Sequence, residues 1–281
     1  MHEAATTWAE GRLGEQVLDV EPLVGGRTST MLALTTASRS AVLRLMTQEP
    51  WRTHGPDLVA REREAQRELT GTGVPAPVSL AVDPDGEHCG VAAHLMTRLP
   101  GSRRDDLGPG HVGALARLVT GVHAVRPAQP FRPFQSWAWE AKWVVPTWTR
   151  HPRSWRRAFE LLAGPAPDFE PTFLHRDLGH HNLLWTGDEI TGVVDWVETS
   201  TGPAWLDAAH VATNLAVALG VPTALSFVRE HAAVSGTAPE RHWLVMDAVG
   251  FLPPPGRRGF FEDPPERDRL DSWLHHLVVG S

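Results

Sequence analysis

Between Phe173 and Trp196 the chain must build sheet in a region whose surroundings read as helix. That requirement constrains the fold more than any other feature of its 281 residues. A short apolar strand ending at Leu174 runs into His175-Arg176-Asp177; four residues intervene, and Asn182 opens the run Asn182-Leu-Leu-Trp185. Thr186-Gly-Asp-Glu189 carries the chain round into Ile190-Thr-Gly-Val-Val194, with Gly187-Asp188 as the tight turn of a hairpin. The second strand delivers another acid, Asp195, followed by Trp196.

The order of these polar groups has a chemical reason. His-Arg-Asp, four residues and then Asn is the catalytic-loop pattern of enzymes that move a phosphoryl group from a nucleotide. In that pattern Asp177 orients and deprotonates a hydroxyl, while Asn182 turns back to hold a magnesium ion on the nucleotide. Asp195, at the end of a Val-rich strand, supplies the carboxylate that grips the metal between the phosphates. A lone His-Arg-Asp is common by chance, and Asp and Asn in turns often only cap backbone. Loop, hairpin and second acid together are specific.

Composition removes several classes. The length allows one large core or two modest ones. Hydrophobic content of 42% and charged content of 21% describe an ordinary globule. No run of eighteen apolar residues exists to span a membrane, and the first residues lack the basic-then-apolar order of a secretory signal. Cys89 is the only cysteine, which rules out an internal disulfide and suits a cytoplasmic location. The formal charge of −7 argues against nucleic acid as a partner and is compatible with a cationic small substrate. Lys142 is the single lysine, and a Walker A loop needs Gly-Lys-Ser/Thr, so the P-loop class is excluded.

Along the chain, β-prone runs at 17–24, 31–35 and 41–46 precede a helix over 57–70, capped by Asp57, with Leu58, Ala65 and Leu69 as its apolar stripe. Val74-Pro-Ala-Pro77 is a stiff connector and 90–96 a further strand, after which Leu99-Pro-Gly101 breaks the pattern. Beyond it, helices are expected over 112–123, 138–145, 155–162, 204–219, 223–233 and 240–249. The expected architecture is α+β and two-lobed: a small antiparallel-sheet lobe over residues 1–98 and a larger, mainly helical lobe over 99–281, with nucleotide between them.

Read in order, Leu23-Val-Gly-Gly-Arg-Thr-Ser29, Val42-Leu-Arg44, Arg63-Glu-Ala65, Val74-Pro-Ala-Pro77, Leu99-Pro-Gly101, the 175–182 loop, Val193-Val-Asp195 and Gly202-Pro-Ala-Trp-Leu-Asp207 form a set. This set resembles the aminoglycoside phosphotransferase family, relatives of choline kinase within the protein-kinase-like fold. The resemblance implies that Gly25, Gly26 and Ser29 form a hairpin over the phosphates. It puts Arg44 where such kinases keep a phosphate-binding lysine, with Glu64 as its partner on the helix. It implies that adenine meets backbone groups near Met96, Thr97 and Leu99, and that His175 and Asp207 support the catalytic loop.

Two departures stand out. Arg44 replaces a lysine, and a guanidinium binds phosphate through a planar fork. The loop reads Asp177-Leu-Gly-His-His-Asn182 where relatives usually have His-Pro-Gly before the asparagine. His180 and His181 are therefore candidate acceptor contacts, though loop histidines commonly face solvent. The tryptophans at 137, 139, 143, 148 and 155 suit either a helical core or an aromatic wall. Of Glu140, Glu198, Glu230, Asp247, Glu262 and Asp263, one or two lining the acceptor pocket would favour an amine-bearing acceptor.

The residues imply an ATP- and Mg²⁺-dependent kinase of a small-molecule hydroxyl, with ATP as the expected donor and GTP left open. An aminoglycoside-like or other hydroxylated antibiotic or metabolite is the favoured acceptor. An amino alcohol, a sugar or a macrolide fits the same fold, and a nucleotide-binding pseudokinase is the alternative outside catalysis.

Overall fold

The computed structural model describes residues 2–23, 29–104, 106–257 and 259–280. The chain forms two compact units, one of Met1–Ser102 with Leu184–Thr199, the other of Arg103–Leu183 with Ser200–Ser281.

The first unit is built on five antiparallel strands: β1 (Asp19–Pro22), β2 (Thr30–Thr35), β3 (Ser40–Leu45), β4 (Ser79–Asp83) and β5 (Ala93–Thr97). Their order across the sheet is β1-β2-β3-β5-β4. Side chains alternate between the two faces. Leu43, Leu45, Ala93 and Leu95 share one apolar cluster with Ala5, Trp8, Ala9 and Leu13 of helix α1 (His2–Leu13). No element was expected at α1, whose apolar residues are thinly spread among Thr and Glu. The other face carries Arg44 and His94, directly opposite one another in register, and meets helix α2 (Gly55–Leu69).

Helix α2 begins with Pro56 in its first turn, two residues ahead of the expected Asp57 cap; the capping position is held by His54. Its buried stripe, Leu58, Val59, Glu62, Ala65, Gln66 and Leu69, follows the helical period and includes two polar residues. Strand β7 (Leu183–Thr186) pairs with β8 (Glu189–Val193) in the expected hairpin. Gly187 adopts φ +58°, the left-handed conformation its turn requires. The hairpin is tied to the proline connector by the Val193 N–H, which donates to the Pro75 carbonyl at 2.7 Å.

The second unit is helical around α5 (Trp205–Leu219), in which every residue from Trp205 to Val217 is buried. A helix apolar on all sides belongs in a core. Packed around it are α3 (Val112–His123), α6 (Val221–Ser235), α7 (Arg241–Gly250) and α8 (Pro264–Val279), while α4 (Pro152–Ala163) lies against α7 and α8. A two-stranded ribbon, β6 (Thr172–Leu174) with β9 (Ser200–Gly202), leads into the 175–182 loop. Among the described residues no helix is long and apolar enough to cross a membrane.

The helix expected over 138–145 does not form; only a single 3-10 turn, Glu140–Lys142, is present. Val144-Val145-Pro146 disfavours helical backbone, and the Lys142 ammonium instead donates to the Gly250 carbonyl at 2.6 Å. Helix α8 is an addition the sequence reading lacked. Its Asp271 is buried and gathers the tryptophan-rich segment: Thr149 Oγ1, the Arg150 N–H (2.7 Å) and Trp155 Nε1 (2.8 Å) all donate to it. Asp271→Ala would strand three donors, and we expect a loss of about 3 kcal/mol in the free energy of unfolding, read as a lower urea midpoint at unchanged m-value.

Candidate active site

The loop that follows β6 is held from below by one carboxylate. Asp207, fully buried in the first turn of α5, accepts the backbone N–H of His175 (2.8 Å) and of Arg176 (2.7 Å), with His123 Nε2 at 3.3 Å. Burial pushes the Asp207 carboxyl up, but its donors outweigh this and hold it below the usual range. Arg176 adopts φ +78°, a strained conformation for a side-chain-bearing residue. Its guanidinium lies 4.5 Å from the centre of the Trp137 ring and donates to the Gln135 carbonyl.

This turn presents Asp177, whose side chain is 32% exposed. Asn182 Nδ2 donates to the Asp177 carbonyl (2.8 Å) and to Oδ2 (3.1 Å), so loop and carboxylate are locked by one amide. Oδ1 faces His210 Nε2 at 3.1 Å and His181 Nε2 at 3.6 Å. Burial would raise the Asp177 carboxyl, yet these two histidines hold it well below the carboxylate range. Gly179 is required for that arrangement, because a Cβ there would run into the His181 ring. His180 is half-buried beside it, ring edge to face.

In the first unit Arg44 is buried, and its terminal nitrogens stand 3.1 Å from Glu62 Oε1 and 3.1 Å from Asp195 Oδ1. Glu62 Oε2 also meets His94 Nδ1 at 2.9 Å, and His94 Nε2 reaches Ser79 at 2.8 Å. Burial disfavours charge on Arg44 and Glu62 alike, but their mutual attraction prevails: Arg44 is raised and Glu62 lowered. Asp195 adopts φ +68° and keeps 27% of its side chain exposed. Arg61 holds the turn that follows by donating to the Val197 carbonyl at 2.6 Å.

The expected partner of Arg44 is thus corrected. Glu64 points off the buried stripe, half-exposed beside Arg67 at 3.5 Å, whereas Glu62 is wholly buried. The helical period carries the signal, since 58, 62, 65 and 69 lie on one face. Ser29 is buried with its hydroxyl on Met31 Sδ, and Gly25 and Gly26 lie outside the described residues. Met96 is buried against Gln66, and Leu99 packs over Gly192. The Thr97 N–H is already taken by the Val78 carbonyl, so that donor is not available to a base. Glu140 is exposed in the second unit and Glu198 half-buried in the first. Asp247, one of the six acids considered for the acceptor pocket, is buried against His210 Nδ1 at 2.9 Å. Glu62, His94 and His210 were not singled out by the sequence reading.

In the second unit the Asn182 amide nitrogen is engaged by Asp177, which leaves its Oδ1 as a hard oxygen donor; in the first unit Asp195 carries carboxylate oxygens of the same kind. Among the described residues no group of three or more His, Cys, Asp or Glu could hold a metal.

The two glutamates of α2 make opposite predictions. Glu62→Gln leaves Arg44 under-compensated in the interior and should lower stability by about 3 kcal/mol in urea unfolding, while Glu64→Gln should change it by less than about 0.5 kcal/mol.

The family model described as the phosphotransferase enzyme family matches residues 19–244. A homoserine kinase of Methylobacillus flagellatus is 23% identical, over 99% of this chain and 93% of that protein. The ternary complex of a thermostable mutant of aminoglycoside phosphotransferase APH(4)-Ia with AMP-PNP and hygromycin B superposes with a TM-score of 0.71 at 19% identity, covering 99% of each chain. The amicoumacin kinase hAmiN, in complex with AMP-PNP, Ca²⁺ and its ligand, gives 0.59 at 14% identity, over 93% of this chain and 88% of that one. The small antiparallel sheet and the helices around α5 are therefore those of the kinase-like fold. With its family model matched over most of its length, the chain belongs to the phosphotransferase enzyme family.

Proposed function

We propose that the chain transfers the γ-phosphoryl group of ATP to a hydroxyl of an amine-bearing small molecule, an aminoglycoside-like or other hydroxylated antibiotic or metabolite. The observation that carries this reading is Asp177. It is a carboxylate one-third exposed, kept ionised and fixed at both oxygens, as a group that orients a hydroxyl must be. Mg²⁺ held by Asn182 and Asp195 would neutralise charge on the phosphates. Arg44 supplies fixed positive charge beside Asp195. Asp177 accepts the proton of the attacking hydroxyl. Catalysis is then positioning and charge stabilisation.

The homoserine kinase relative, which spans nearly the whole chain, favours a second reading in which the acceptor is a small amino alcohol. ADP release from MgATP, followed with hygromycin B, amicoumacin and L-homoserine in parallel, separates the two, and a chain inert with every acceptor and with water would count against catalysis altogether. With the preferred acceptor, Asp177→Asn should cut kcat by at least ~10²-fold and leave ATP affinity little changed. Asp195→Ala should remove magnesium-dependent nucleotide binding and turnover together; equal ATP affinity by calorimetry in that variant would sink its role as a ligand.

A further inference from the structure

His210 lies in the middle of α5 with its ring 2% exposed, and the catalytic-loop pattern assigns it nothing. Nε2 stands 3.1 Å from Asp177 Oδ1 and Nδ1 stands 2.9 Å from Asp247 Oδ1, on α7. A neutral imidazole has one N–H and one lone pair, so it can donate to a single carboxylate while turning its lone pair on the other. Two carboxylates on two ring nitrogens therefore select the doubly protonated cation. Phe251 stacks on the ring at 5.3 Å and 12°, and Trp137 closes its edge at 5.5 Å, so the ring has no room to swing. The other charged or titratable groups here are Arg176, over Trp137, and His181, on the same Asp177 oxygen.

We propose that His210 is a positioning residue for phosphoryl transfer: an imidazolium locked by Asp247 that fixes one oxygen of Asp177 and reserves the other for the acceptor hydroxyl. Oδ2, which takes a single hydrogen bond from Asn182, keeps a lone pair pointing outward for that hydroxyl. Burial pushes the ring down, but Asp247 and Asp177 outweigh it and hold His210 up at about 10, so the clamp stays charged through the neutral range. Asp247, 2% exposed, acts only through the ring and stops it from turning neutral or flipping. The proposal rests on the reading of Asp177 as the catalytic carboxylate.

The test compares His210→Leu, His210→Gln and Asp247→Asn for turnover of MgATP, with water and with the best acceptor from the panel above. His210→Leu should lower kcat by about 10²-fold with the KM for ATP within about threefold, the scale of a misplaced reacting group. His210→Gln keeps an N–H donor at the Nε2 position and should recover at least about tenfold of that loss, which restored packing alone would not do. Asp247→Asn should fall between them. A folded His210→Leu within twofold of wild type, or a glutamine variant no better than leucine, overturns the proposal. If the variants do not fold, ¹⁵N-histidine NMR of the wild-type chain decides: both ring nitrogens of His210 should be protonated at pH 8, and a single N–H would overturn the clamp. Asp177→Asn at wild-type rate would sink the catalytic reading and this proposal together. Turnover that depends on Asp177 but not on His210 would sink this proposal alone.

Discussion

The 175–182 loop depends on a carboxylate that never meets solvent. Asp207 takes two consecutive backbone N–H groups, from His175 and Arg176, and that pairing is possible only because Arg176 has turned into the positive-φ region. Such a conformation costs roughly 1–3 kcal/mol. Two charge-assisted hydrogen bonds, at roughly 1.5–3 kcal/mol each, exceed that. The strain is functional in its geometry: the kink turns the next residue, Asp177, toward the open side of the loop. Neutralising Asp207 would therefore act on Asp177 without touching it.

A comparable dependence holds the buried cluster around Arg44 in the first unit. Arginine at position 44 sits where a lysine is usual, and the interior has been arranged around its fork. One terminal nitrogen faces Glu62 and the other Asp195, while His94 takes up the second oxygen of Glu62. A lysine presents one ammonium and could not bridge two carboxylates lying on opposite sides of the head group with the same planarity. The buried cost of this cluster depends on Arg44 above all, since removing it would leave Glu62, wholly buried, without its cation.

Much of this was readable from sequence because it is local. The 175–182 loop, the Gly187-Asp188 turn and Asp195 lie within one short stretch, where spacing alone reports geometry. Arg44 comes from the family resemblance, and Glu62 is within reach of the residues alone, since the stripe through Leu58, Ala65 and Leu69 passes through it. Choosing Glu64 put motif position ahead of helical period. Three features were beyond local reading. Helix α1 has too little contrast between its faces, and its burial comes from the sheet it covers. The 138–145 segment has helical residue types but is pulled out of helix by Lys142 reaching Gly250. His210 and Asp247 lie on different helices, and only the packing of α5 against α7 brings them together.

One physical device recurs in the two units. In each, a buried cation stands between two carboxylates, one fully buried and one about a third exposed: Arg44 between Glu62 and Asp195, His210 between Asp247 and Asp177. The buried acid holds the cation in place and charged, and the cation fixes the exposed acid. An exposed carboxylate on its own would rotate freely and be screened by water. Backed by a rigid, desolvated cation, it keeps one orientation, and each trio of one cation and two carboxylates carries excess negative charge. That excess is what a metal ion or an ammonium-bearing acceptor would find. The trio built on arginine keeps its charge at any physiological pH, because guanidinium does not titrate there. The trio built on histidine keeps its charge only as long as both flanking carboxylates remain in place. The second unit has therefore made the ionisation of its cation, and with it the orientation of Asp177, conditional on the packing of α7 against α5.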